Sequence, residues 1–144
     1  MKESRWEECI ECYSAIKITP DALKAKSLVK IADGRLKYLQ NQKITTSNAN
    51  YIFEGIYASI NEIMHAIAIS EGYKIINHVC LGFFLRDFLK DAALFRLFDD
   101  LRYKRNSLVY YGKEMDFEVA KDSIEKAEKM IREVKIKWAK KLNQ

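Results

Sequence analysis

Arg105, Asn106, Tyr110 and Tyr111 close a stretch, Leu94 to Gly112, that otherwise reads as one apolar helix face. Spaced three and four apart, Leu94, Leu97 or Phe98, Leu101 and Leu108 form a stripe, and Arg105 falls on it between Leu101 and Leu108. A guanidinium keeps its charge, so this position is costly unless it meets a carboxylate, a phosphate or a water-filled cleft. Asn106, Tyr110 and Tyr111 add hydrogen-bonding groups beside it, and Gly112 is a natural helix stop. The chemistry open to these residue types is to hold an anion. They can equally form a buried structural network, and spacing alone allows both.

An earlier helix offers Arg105 a partner. Glu62 shares a face with Gly55, Ser59 and Ala66, small residues that permit close helix approach. A carboxylate there is expected to pair with Arg105 in rigid, bidentate geometry. Such a pair serves structure or function alike. His65 lies with Asn61 and Ala58 on a polar strip expected to face solvent. His78 opens a short helix and is expected to cap or pack.

Helical periodicity runs throughout the chain. A first helix is expected over about Ser4 to Ile18, with Trp6, Ile10 and Tyr13 on one side. Thr19-Pro20-Asp21 breaks it, and Pro20 opens a second helix whose face carries Ala25, Leu28, Ala32, Leu36 and Leu39. After the polar turn Lys43 to Ser47, Thr46 or Ser47 can cap a third helix over about Ala49 to Glu71. Its wide stripe of Phe53, Ile56, Tyr57, Ile60, Ile63, Met64 and Ile67 marks a central helix. A short helix from about His78 to Leu89, capped by Asn77, precedes the arginine-bearing helix from Asp91 to Tyr111. The last runs from about Asp116 to Leu142, with a coiled-coil-like seam of Phe117, Ala120, Ile124, Ala127, Ile131, Val134 and Trp138. Short connections between long helices predict an all-α, antiparallel up-down bundle of five to six helices.

The 144 residues make one domain, with one proline, five glycines and 49 % hydrophobic residues favouring a compact helical protein over a disordered one. Charges interrupt every long apolar run, so no membrane span is expected. Met1-Lys-Glu-Ser-Arg-Trp-Glu-Glu8 lacks an apolar signal core, and a cytoplasmic protein is expected. Cys9 and Cys12 form a CxxC pair without a second pair or βαβ context, so reduced thiols are expected rather than a redox or zinc site. No metal or cofactor is expected. The net charge of +5 is compatible with an anionic partner. Much of the excess comes from Lys129, Arg132, Lys135, Lys137, Lys140 and Lys141 against Glu133, read as a solvated helix end that complements the helix dipole.

Several of these segments, in this order, resemble one family. Arg105-Asn106-x-x-x-Tyr110-Tyr111-Gly112, between an apolar helix and a long amphipathic one, resembles the HEPN domain (higher eukaryote and prokaryote nucleotide-binding), and is most similar to small stand-alone archaeal HEPN proteins. Pro20-Asp21-x-x-x-Ala25-Lys26-Ser27-Leu28 with Ala32 and Arg35-Leu36 fits the family's second helix. Ile52-Phe-Glu-Gly-Ile-Tyr57 with Asn61-Glu62 fits the central one, and Glu71-Gly-Tyr-Lys74 with His78 the segment after it.

The resemblance implies a helical bundle that dimerises and brings two Arg-x(4–6)-His motifs together across a cleft. Many such proteins are metal-independent ribonucleases, several of them toxins paired with a minimal nucleotidyltransferase. Arg105 matches the motif arginine and Asn106 the polar residue beside it, but Tyr110 stands where the histidine belongs. A phenol with a pKa of about 10 is a poor general base for a 2′-hydroxyl. The implied function is therefore binding of a nucleotide or RNA phosphate by Arg105, Asn106, Tyr110 and Tyr111, with Glu62 orienting Arg105. The protein would be a homodimer and the partner of a separately encoded nucleotidyltransferase in a toxin–antitoxin-type pair, with Tyr110 or Tyr111 as nucleotidylation acceptor. The alternatives are a divergent metal-independent endoribonuclease using Arg105, Asn106 and Tyr110, or a non-catalytic dimerisation protein.

Overall fold

The computed structural model describes residues 2–138 and contains six α-helices and one two-stranded sheet among them. The first departure from expectation is at the N-terminus. Helix α1 is only Trp6–Glu11, and the chain then forms strand β1, Ala15–Lys17. Tyr13 takes a left-handed conformation, φ 58°, which an α-helix cannot continue through. Beyond it, β1 pairs antiparallel with β2, Tyr73–Ile75, placing Ala15 opposite Ile75 and Lys17 opposite Tyr73. The β-branched and aromatic residues of both segments suit a pleated ribbon, a preference that short helical spacing concealed.

A second correction concerns the cysteines. Cys9 and Cys80 form a disulfide across 71 residues of sequence, with Cα atoms 5.9 Å apart, and only Cys12 is free and exposed. The pairing is non-local, so the CxxC spacing carried no information about it.

The long helices follow the expected periods. Helix α2 spans Ala22–Gln40, capped by Asp21, whose side chain accepts from Lys24 N at 3.0 Å; Pro20 lies before the cap, not at the first helical position. Helix α3, Ala49–Ser70, follows a turn in which Asn48, rather than Thr46 or Ser47, precedes the helix. The Asn48 amide accepts from Thr45 N and donates to Lys43 O, so it closes the preceding loop instead of capping. Helix α4, His78–Phe83, is capped by Asn77 as expected and continues as a π-helical turn, Phe84–Phe88. Helix α5, Ala92–Tyr111, is capped by Asp91 and stops at Gly112, which adopts φ 61°. Helix α6 spans Phe117–Lys137; the expected extension to Leu142, with Lys140 and Lys141, lies outside the described residues.

Together these form the expected all-α bundle with α3 at its centre. Helices α2 and α3 are antiparallel: Leu39 packs on Gly55 near one end, and Asp21 N bonds Ile69 O at the other. Gly55 makes room for this contact: a Cβ there would lie 2.6 Å from a Leu39 methyl, which would have to shift. Ser59 Oγ donates to Ala32 O at 3.1 Å, so the small face of α3 does serve close approach. The α6 seam of Ala120, Ile124, Ala127, Ile131 and Val134 is buried against α3. The other flank of α3 packs on α5, where Phe98 stacks on Tyr57 with centroids 6.0 Å apart. No helix among the described residues is long and apolar enough to cross a membrane.

Candidate functional site

The α5 stripe positions Arg105 by running out of core. Leu94, Phe98 and Leu101 are buried, and one turn later Arg105 emerges half-buried at the edge of a cleft of about 460 Å³. That volume lies within the range of small-ligand sites, about 300–1,000 Å³. Three other elements complete it: α2 contributes Arg35; α3 contributes Tyr57, Asn61 and Glu62; α4 contributes His78.

Arg105 and Glu62 do line this cleft together, but they do not form the expected pair. Glu62 bonds Arg35 instead, and Ser59 Oγ lies 3.4 Å from the same guanidinium nitrogen. The cause is the close approach of α2 to α3, which delivers a cation from the adjacent helix before α5 can supply one. Arg105 Nη1 lies 3.2 Å from Asn106 Oδ1 and 3.3 Å from Tyr110 Oη, and its guanidinium carbon is 5.4 Å from the Tyr110 ring centroid. On its inner side the same carbon lies 5.8 Å from the Tyr57 centroid. Among the described residues no carboxylate comes within 4 Å of Arg105. Its charge is left for solvent or a ligand.

Of the expected site residues, Arg105 and Glu62 line the cleft, while Asn106 and Tyr110 touch Arg105 from outside it. Tyr110 is largely exposed at 66 %, and Tyr111, at 81 %, has no contact with the cleft. The cleft residues that had not been assigned a role in it include Arg35, Tyr57, Asn61 and His78. Tyr57 and Asn61 carried a usable signal, since their spacing of four puts two polar tips one turn apart beside the central apolar stripe. His78 is not merely a cap or packing residue. Its Nδ1 is 3.2 Å from Tyr57 Oη, and Asn61 Nδ2 lies 3.4 and 3.3 Å from its two ring nitrogens. His65, expected to face solvent, is half-buried, and burial lowers its pKa.

Burial governs the protonation of this cluster. It holds the Tyr57 phenol neutral, pushed up to about 12, against the opposing pull of Asn61 and Arg105. It drives His78 down to about 4, helped by the nearby charges of Arg105, His65 and Arg102. The imidazole is thus uncharged at neutral pH. Asn61 is 9 % exposed, and its Oδ1 is buried without a partner among the described residues, a loss of about 1–3 kcal/mol that a structural side chain ordinarily avoids.

The arrangement suits an anion held by Arg105, beside a neutral imidazole fixed by a phenol and an amide. It offers no evident metal centre, since no grouping of three His, Cys, Asp or Glu exists among the described residues. The chain matches no known family model, no curated protein and no solved structure.

Proposed function

We propose that this chain is a HEPN-like protein that binds the phosphate of a nucleotide or RNA in the cleft on α5. One observation carries this: Arg105 is a half-buried guanidinium at a ligand-sized cleft, without a carboxylate partner among the described residues. Asn106 and Tyr110 steady the guanidinium, and Tyr57 backs it. The direct experiment is a titration with a short single-stranded oligoribonucleotide at low salt. Arg105→Ala is expected to weaken binding by about ten- to a hundredfold, the loss of a charge-assisted contact of about 1.5–3 kcal/mol, while far-ultraviolet circular dichroism stays unchanged. Binding that survives the substitution would remove Arg105 from the site.

The Arg35–Glu62 pair makes a separate prediction. If Glu62 oriented Arg105, Glu62→Gln would weaken binding. With Glu62 on Arg35, Glu62→Gln instead frees a second cation in the cleft. Affinity is then expected to rise about two- to tenfold, with a salt dependence steeper by up to about one ion, read from the same titration at several salt concentrations.

Homodimerisation, partnership with a nucleotidyltransferase and a cytoplasmic location belong to the same proposal. Support for the first comes from Val109, Tyr110 and Tyr111, which leave an exposed apolar end on α5 beside the cleft. Light scattering at micromolar concentration reads it, and a stable monomer would dismiss it. Tyr110 and Tyr111 are both accessible to a modifying partner. The buried Cys9–Cys80 bridge weighs against the cytoplasmic part of the proposal, since a reducing cytoplasm keeps most thiols unpaired.

One observation favours an endoribonuclease as a second reading: His78 brings to the cleft the imidazole missing at position 110. Its lowered basicity argues for slow chemistry. RNA incubated with the protein and a chelator is expected to stay largely intact. Robust cleavage abolished by Arg105→Ala would put the enzyme first.

A further inference from the structure

The phosphate-binding reading assigns the anion to Arg105 alone, yet the cleft is built around a second group. Tyr57 neighbours both: Arg105 stands 5.8 Å from its ring centroid, and the tilted His78 ring lies with its centroid 5.8 Å away on the α4 side. His78 is half-buried and lines the same opening. Tyr57 Oη can donate to a neutral ring or accept from a protonated one, so adding a proton does not strand Nδ1. Asn61 Nδ2 faces the ring as a donor, so protonation requires the Asn61 amide to turn and present Oδ1, which has no partner among the described residues, as the acceptor.

We infer that a phosphate entering this cleft is held between Arg105 and His78 and binds together with a proton, which makes His78 the second cation of the site. The inference rests on the Arg105 reading and extends it by one residue and one proton. His78 lies close to the cations Arg105 and Arg102 of α5 and to the His65 ring on α3. Arg102 is paired with Asp99, so Arg105 is the uncompensated one. The cleft carboxylates give His78 little in return, Glu62 being taken by Arg35 and Glu54 lying exposed at the rim. The other elements packed on α4 bring charges that are paired or exposed. Arg86 holds Asp87 in the π-turn, Arg5 holds Glu7 and Glu8 beside α1, and Glu11 and Lys74 are exposed. A bound phosphate cancels Arg105 and supplies the missing negative charge, which reverses the balance that keeps the ring neutral. Protonated His78 then gives the anion a second charged donor from a different helix.

The sign follows from linkage: a ligand that raises the proton affinity of His78 must bind more tightly as pH falls. The test is isothermal titration with a short oligouridylate, whose phosphodiesters and bases do not titrate over the range used, in buffers of different ionisation heat. Wild-type affinity is expected to be nearly level around pH 8 and to rise as the pH falls, by up to about tenfold per unit once the pH is below the raised pKa of ligand-bound His78, with uptake approaching one proton between that pKa and the free value of about 4. His78→Gln should still bind at high pH but lose the pH dependence, whereas His65→Gln, altering the only other histidine, should keep it. A melting curve verifies each variant's fold. If His78→Gln does not fold, the His78 ring signal in the wild type decides, by titrating at higher pH with ligand than without. Binding with no proton uptake, or an undiminished pH dependence in folded His78→Gln, overturns the inference and leaves the Arg105 site standing. Absence of binding by the wild type at every pH overturns both.

Discussion

Replacing Cys9 and Cys80 together by alanine is expected to lower the unfolding free energy by about 4 kcal/mol. The bridge joins residues 71 apart, and closing a loop of that size in the unfolded chain removes entropy worth about 4 kcal/mol at room temperature. The native state has particular need of it. Helix α1 is six residues long, too short to persist alone, and its anchors are the bridge and Trp6. Trp6 is 7 % exposed and meets Tyr73 and Phe84 edge-on, each with centroids 5.2 Å apart. Losing the bridge should therefore free α1 and β1 before the bundle opens. Because the bridge also ties down α4, which begins at His78, weaker ligand binding should accompany the loss. Urea denaturation of the double variant against the wild type measures the effect. A loss below about 1 kcal/mol would show that the bridge does not hold the N-terminal segment.

The second large effect is expected at Phe98. This ring is 1 % exposed, stacks on Tyr57 at an interplanar angle of 17°, and packs against Gly82 of α4. Phe98→Ala removes a large side chain where three helices converge, and the expected cost is about 3–5 kcal/mol in urea denaturation. Tyr57 then loses the wall that fixes it beneath Arg105 and beside His78. Ligand affinity should fall several-fold even where the variant is still folded. Tyr110→Phe, by contrast, alters an exposed ring and should leave stability within about 0.5 kcal/mol. A cost below about 1.5 kcal/mol for Phe98→Ala would mean that the α3–α5 junction repacks, and the rigid backing assigned to the cleft would fail with it.

Features set by local periodicity were legible in the sequence. The α5 stripe, the central character of α3, the Asn77 cap and the Gly112 stop all depend on residues within a turn or two of one another. Features set by which helix reaches first were not. Glu62 had two guanidiniums within reach of its face, and only the close packing around Gly55 and Ser59 awards it to Arg35. Cys9 and Cys80 gave no pairing signal, being distant in sequence and buried among apolar neighbours. The β1–β2 ribbon was hidden because Ala15–Lys17 is too short for its alternation to stand out against a helical reading. His78 looked like an ordinary helix start, and only the placement of α4 against α3 brings it to Tyr57 and Asn61.

The central claim is that the α5 cleft, rather than the basic end of α6, holds the anion. Side-chain nuclear magnetic resonance during titration with oligouridylate tests it most directly. The predicted result is a saturable shift of the Arg105 Nε–H signal, accompanied by the Asn61 amide and the His78 ring, at a concentration that also saturates binding. Shifts confined to Lys129, Arg132 and their neighbours on α6, with Arg105, Asn61 and His78 unmoved, would contradict it.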